Sequence, residues 1–119
     1  IGINWTKVAW PGLIFSSPIK FYNSILNDCS FYGLSLQDLV MEACKAHNVD
    51  FREGDFSNSN FTYAELSGAS FVNTNLSGAD FSEATGYDIN IYQNTIKKAR
   101  FSRFEAARLL DCLEIELVD

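Results

Sequence analysis

The side chains able to do chemistry are few and scattered. One histidine, His47, and three cysteines, Cys29, Cys44 and Cys112, are the soft or nucleophilic groups of the 119-residue chain. A zinc site needs three or four Cys or His ligands at short paired spacings, and His47 has no such neighbour, so it reads as a solvent-facing residue. Three unevenly spaced thiols read as small buried hydrophobes in a reducing compartment, not as a disulfide framework. Carboxylates are the larger set: Asp50, Glu53, Asp55, Glu65, Asp80 and Glu83. Two carboxyls flanking a cleft would suit glycoside hydrolysis, whereas acids on a solvated surface serve solubility and charge complementarity. No glycine-rich phosphate loop, G-x-S-x-G elbow or H-E-x-x-H pattern accompanies them. The expectation is a protein that is no enzyme and holds no metal or cofactor, with those six acids as its candidate interaction face.

What positions them is a period of five. Apolar residues stand at Phe21, Leu26, Phe31, Leu36, Met41, Ala46, Phe51, Phe56, Phe61, Leu66, Phe71, Leu76 and Phe81. With 47% of the chain apolar, chance gives that series odds on the order of one in ten thousand. A helix needs apolar spacing near 3.6 and a half-buried strand needs 2, so five marks turns of a coil instead. If four units close one square turn, positions 20 apart stack: Phe31, Phe51 and Phe71; Leu36, Phe56 and Leu76; Phe61 and Phe81. Two places before each centre the residues are mostly small, clearest at Cys44, Gly54, Ser59, Ala64, Ala69, Thr74, Ala79 and Ala84. Two places after it stand Asn23, Asp28, Gly33, Asp38, Asn48, Asn58, Gly68, Asn73 and Gly78, types that accept tight turns. Cys29 and Cys44 take the small interior position. Asp50, Asp55 and Asp80 stand just before a centre, facing outward.

Ala64-Glu65-Leu66-Ser67-Gly68, Thr74-Asn75-Leu76-Ser77-Gly78 and Ala79-Asp80-Phe81-Ser82-Glu83 resemble the repeats of the pentapeptide-repeat family. The match is closest over residues 49–85, good over 19–38 and weakest over 39–48, where Leu39, Val40, Lys45 and Ala46 depart from it. The fifteen residues from Leu36 to Phe51 are three whole units, which keeps the register. The resemblance implies an all-β fold, a right-handed quadrilateral β-helix; the handedness comes from the resemblance alone. Solenoids of this kind are stabilised by neighbouring turns and need caps at their ends.

The ends differ from the middle. Over residues 1–18, Trp5, Trp10 and Phe15 keep the five-residue step in a shifted frame, separated from Phe21 by one extra residue at Ser16-Ser17-Pro18. This reads either as an earlier coil joined through a corner or as a loop covering the open end. Residues 19–85 form the repeat region. Residues 86–119 read as a connection containing Ile89, Ile91 and Ile96, then an α-helix over about 103–113 started by a Ser102/Glu105 capping box, then a short strand over 114–119. Phe104, Leu109, Leu110 and Leu113 give that helix more apolar surface than a solitary surface helix carries. It covers the last coil, meets a second copy, or does both. Such a tail is similar to that of the quinolone-resistance (Qnr-type) group.

Net charge is −6, yet residues 97–108 hold Lys97, Lys98, Arg100, Arg103 and Arg108 against Glu105 alone. The acidic balance argues against direct nucleic-acid binding. The basic cluster docks an acidic protein surface or pairs internally with Asp111 and Glu114. No apolar run is long enough to span a bilayer and no leader pattern is visible, which makes a cytoplasmic protein the expectation, with further coils upstream left open because the chain begins at Ile1.

Two function classes follow: a rigid acidic module that binds another protein, and the case the Qnr-type resemblance implies, a DNA mimic that binds type II topoisomerase. At about 4.8 Å per turn, five turns make a rod of about 24 Å. Duplex DNA of that length carries about fourteen phosphate charges, at one per ~1.7 Å. A homodimer through the terminal helix would double the length.

Overall fold

The computed structural model describes residues 18–118; the shifted N-terminal frame with Trp5, Trp10 and Phe15 lies outside them. The chain winds into a four-sided coil that advances one turn every 20 residues. Parallel bridges fix this register on each side: Lys20, Val40, Asn60, Asp80 and Arg100 on the first, Ile25, Lys45, Glu65 and Thr85 on the second. Ser30, Asp50 and Ser70 form the third side, and Ser35, Asp55, Asn75 and Thr95 the fourth. Most sides are single bridges, with short parallel strands only at β1 (Lys20–Tyr22) with β2 (Val40–Glu42) and β3 (Asp80–Phe81) with β4 (Arg100–Phe101).

Each five-residue unit works the same way. The centre residue points inward and its N–H bonds the next turn, as Phe31 N–H does to the Asp50 carbonyl at 2.8 Å. The residue before it donates backward, Asp50 N–H to the Cys29 carbonyl at 3.1 Å. The residue two after the centre has positive φ, at Asn23, Asp28, Asp38, Asn48, Asn58, Asn73, Gly33, Gly68 and Gly78, so the expected corner residues are the corners. Ala43, Glu53, Tyr63 and Glu83 take the same conformation without the tolerance that Asn or Gly brings, at a cost of about 1–2 kcal/mol each.

The interior is the predicted set of columns. Phe31, Phe51 and Phe71 stack at 5.7 and 5.0 Å with nearly parallel rings, and Phe61, Phe81 and Phe101 at 5.0 and 5.1 Å. Phe56 meets Phe31 and Phe51 edge-on. The weak segment 39–48 keeps register without a bulge. There the sizes are exchanged: Leu39 and Val49 fill positions usually small, Ala46 fills a centre, and all three are buried, which preserves interior volume. Gly54 is small for the opposite reason, since a Cβ there would overlap the Phe56 ring and sit 2.9 Å from the Leu34 carbonyl oxygen.

Three C-terminal expectations are corrected. Residues 86–99 are not a plain connection but the last, irregular turn: Leu76 N–H bonds Thr95 and Gly78 N–H bonds Lys97, while Tyr87 and Ile89 are buried. The inserted Tyr87 ring lies against Phe81 and Phe101 at 5.9 and 5.5 Å. The terminal helix is a 3-10 helix over Glu105–Leu113, preceded by Phe104 with no side-chain cap. Ser102 does not cap it because its hydroxyl accepts the Glu83 N–H at 2.7 Å instead. Finally, residues 115–118 form no strand; Ile115, Leu117 and Val118 are exposed, so the alternation there has no ladder to join.

Candidate interaction surface

With the interior filled by side chains, chemistry is left to the outward positions, where the six acids stand. The register divides them. Asp80 belongs to the first side, Glu65 to the second, Asp50 to the third and Asp55 to the fourth. Glu53 and Glu83 sit on two corners with positive φ. They do not converge on one face.

Their oxygens are also in use. Asp50 accepts the Arg52 N–H at 2.9 Å, Asp55 that of Ser57 at 3.0 Å and Asp80 that of Ser82 at 2.9 Å. Asn60 and Asn75 do the same for Thr62 and Ser77. What the position demands is an acceptor oxygen to satisfy a corner N–H, and charge is incidental to that task. The second oxygen then finds its own partner: Arg52 grips Asp50 at 2.9 Å, Gln37 donates to Asp55 at 2.9 Å, and Arg100 lies 3.9 Å from Asp80. Glu65 meets His47 Nε2 at 3.2 Å, Glu53 accepts from Asn73 at 2.8 Å, and Glu83 approaches the Ser102 hydroxyl at 3.5 Å.

Burial alone would raise the Asp50 carboxyl, but the Arg52 hydrogen bonds and charge outweigh it and hold it below the usual carboxylate range. At Asp55 burial is likewise outweighed, by the Ser57 N–H, Gln37 and the Ser57 hydroxyl. Arg52 also lies 5.3 Å over the Tyr32 ring. Cys29 and Cys44 are buried as expected; burial pushes the Cys44 thiol up, with the nearby Glu42 charge adding to it against a backbone hydrogen bond from Ser24. That thiol is held in its inert, protonated form.

The basic cluster pairs differently from expectation. Arg108 bonds Glu105 at 2.9 Å and Arg100 faces Asp80, so neither Asp111 nor Glu114 is the counter-ion. Arg100 meets Asp80 because the 20-residue register sets the two side by side, and Arg108 meets Glu105 three residues before it on the helix. Lys97 and Lys98 border a shallow recess with Ser57, Asn58, Ser77 and Gly78. Of the four helix residues, Leu109 packs against the core and Leu110 is half-buried. Phe104 and Leu113 are exposed, Phe104 at 89%. Tyr87, overlooked in the sequence, is buried with its hydroxyl unpartnered. Its pKa is pushed up to about 12 by burial, with Glu105 adding to it and Arg108 opposing. Among the described residues no group of three or more His, Cys, Asp or Glu is arranged to hold a metal, and no helix is long and apolar enough to cross a membrane.

Among solved structures the coil is similar to HetL, a pentapeptide repeat protein involved in heterocyst differentiation regulation from the cyanobacterium Nostoc sp. strain PCC 7120. Identity is 24% and TM-score 0.58, over 64% of this chain and 35% of HetL. It is similar also to Rfr23, a pentapeptide repeat protein from the cyanobacterium Cyanothece 51142, at 20% identity and TM-score 0.55, over 77% of this chain and 66% of Rfr23. These likenesses establish the fold alone, and the chain spans less than two thirds of either protein's length. QnrB1, a plasmid-mediated fluoroquinolone resistance protein, aligns at 17% identity and TM-score 0.30, over 80% of this chain and 68% of QnrB1, which carries no argument. None of the curated proteins matches the chain. The family model described as "Pentapeptide repeat region" matches residues 3–81, and with the 20-residue parallel register it places this chain in the pentapeptide-repeat family.

Proposed function

We propose that the chain is a non-catalytic, cytoplasmic protein-interaction module, a rigid right-handed four-sided coil that presents outward side chains at fixed spacing to a protein partner. One observation carries this: the lumen is filled by stacked aromatic and aliphatic columns, so the outward ladders are what a partner meets. Ladders on a stiff backbone lose little entropy on binding, which favours recognition by pre-organised surface. The exposed Phe104 and Leu113 extend the proposal to a homodimer through the terminal helix.

A mimic of duplex DNA for a type II topoisomerase works by charge complementarity to a basic surface, which acids gathered on one face serve best. The division of six partnered acids among four sides and two corners supports the module reading over the mimic. The experiment is affinity capture from the source cell extract on immobilised protein, with purified gyrase as a directed control and a variant in which outward residues of each side in turn are exchanged. One side is expected to abolish capture of a defined protein at unchanged melting temperature. Capture indifferent to all four sides would overturn the module reading, and salt-sensitive inhibition of gyrase supercoiling would restore the mimic.

A further inference from the structure

The third side of the coil is interrupted at its last turn. Upstream, Ser70 closes the ladder with a single residue: its N–H donates to the Val49 carbonyl and its carbonyl accepts from Phe51 N–H, both at 2.9 Å. The insertion that seats Tyr87 in the core shifts the following chain by one residue, and no bridge joins Ser70 to Asn90 among the described residues. The ladder resumes only where Asn73 N–H bonds the Gln93 carbonyl at 2.7 Å. The Phe71 N–H and the Ala69 carbonyl, which face the missing position, have no hydrogen-bond partner among the described residues, although both residues are nearly buried, Phe71 at 3% and Ala69 at 6% exposure. They open onto a notch of about 510 Å³ bordered by Arg52, Ser70, Asp88, Asn90 and Gln93.

Buried backbone groups without partners are costly, by about 1–3 kcal/mol each, and an unpaired parallel edge is the template on which an extended chain adds. Charge selects the occupant. Arg52 is neutralised by Asp50, whereas Asp88 is exposed at the rim and makes no ion pair among the described residues. We propose that this notch binds one extended, basic peptide segment of a partner protein. One residue of the segment repeats what Ser70 does a turn earlier, donating its N–H to the Ala69 carbonyl and accepting the Phe71 N–H, while a neighbouring lysine or arginine meets Asp88. The proposal rests on the interaction-module reading and assigns its partner a chemistry and a place.

Two measurements test it. In the free protein the Phe71 amide hydrogen should exchange with solvent at least about tenfold faster than those of Phe31 and Phe51, which are bonded. Equal protection of Phe71 would overturn the proposal, because the edge would not be open. A displayed library of random octapeptides is then selected on the wild-type protein. The selected peptides should be rich in lysine or arginine, slow Phe71 exchange when bound, and lose binding to Ser70→Trp, which fills the notch from an outward position. They should keep binding to Ser35→Trp, the outward position on another side, and weaken about two- to fivefold with Asp88→Asn, the range of one exposed ion pair. Binders indifferent to Ser70→Trp would overturn the notch while leaving the module reading standing. A library without binders would overturn the notch too, and the module reading would then rest on the capture experiment.

Discussion

Phe51 is the keystone of the interior. Its ring stacks on Phe31 and Phe71 and receives the edges of Phe56 and Phe61 at 5.2 and 5.6 Å, and it is fully buried. Removing a buried phenylalanine to alanine costs about 3–5 kcal/mol. Part of that is the ring-pair geometry, about 0.5–1.5 kcal/mol for each pair beyond burial. Two flanking turns hold the cavity walls apart, so collapse is limited and a loss of about 4 kcal/mol is expected from Phe51→Ala. In urea, with a slope of about 2 kcal/mol per molar, the unfolding midpoint should fall by about 2 M. Phe101→Ala removes a half-buried ring whose aromatic neighbours among the described residues are Phe81 and Tyr87 and should shift it by about half as much. Phe51→Asp should prevent folding altogether, since an unpaired carboxylate in an apolar column costs several kcal/mol against a total of about 5–15. Arg52→Ala, one residue on and solvent-facing, should change little. Equal midpoints for Phe51→Ala and Phe101→Ala, or a folded Phe51→Asp, would refute the stacked column.

Further outcomes follow from single positions. Gly54→Ala, which moves toward the commoner small residue of the repeat, should nonetheless destabilise by about 1–3 kcal/mol in the same urea assay, because the Phe56 ring and Leu34 carbonyl leave no room. Ala43→Gly should stabilise by about 0.5–1 kcal/mol, the left-handed strain relieved at φ 55° exceeding the entropy of a more flexible unfolded chain. Asp55→Asn should cost less at neutral pH than Asp55→Ala, at about 1 kcal/mol, since asparagine keeps the acceptor for Ser57 N–H while giving up the charge and the Gln37 bond. Because the folded carboxyls of Asp50 and Asp55 lie below their ordinary value, their contribution is present above the unfolded value of about 3.9 and is lost as pH falls through the lower folded values. Thermal melting between about pH 5 and 2 should therefore drop less steeply for the Asp50→Asn/Asp55→Asn pair than for wild type.

The columns and corners were legible because burial at every fifth residue leaves a pattern in residue type that needs no knowledge of distant contacts. The distribution of the acids over four sides and two corners was also legible in the sequence. The 20-residue arithmetic that stacks Phe31 on Phe51 sends residues 50, 55, 65 and 80 to four different sides. Asn60 and Asn75, at the same place in their units as Asp50, Asp55 and Asp80, were the sign that an acceptor oxygen was wanted there. The last turn was hidden by the insertion around Tyr87, which breaks the period while its ring fills the lumen. The missing cap depended on whether the Ser102 hydroxyl served its own helix or Glu83 on the preceding turn, a choice made by contacts 19 residues apart. No local pattern reports it.

Every assignment, structural and functional, depends on outward side chains 20 residues apart standing side by side on one flank. Engineered cysteine pairs in a background with Cys29, Cys44 and Cys112 replaced by alanine read this directly. Ser35→Cys with Asp55→Cys, neighbours across a parallel bridge, should form a disulfide rapidly under mild oxidation, because adjacent strands about 4.8 Å apart fall within the span a disulfide accepts. Ser35→Cys with Asp50→Cys or Asn60→Cys, five residues out of register and on other sides, should remain reduced under the same conditions. Cross-linking of either off-register pair as fast as 35 with 55, or no cross-link between 35 and 55, would contradict the coil and everything placed upon it.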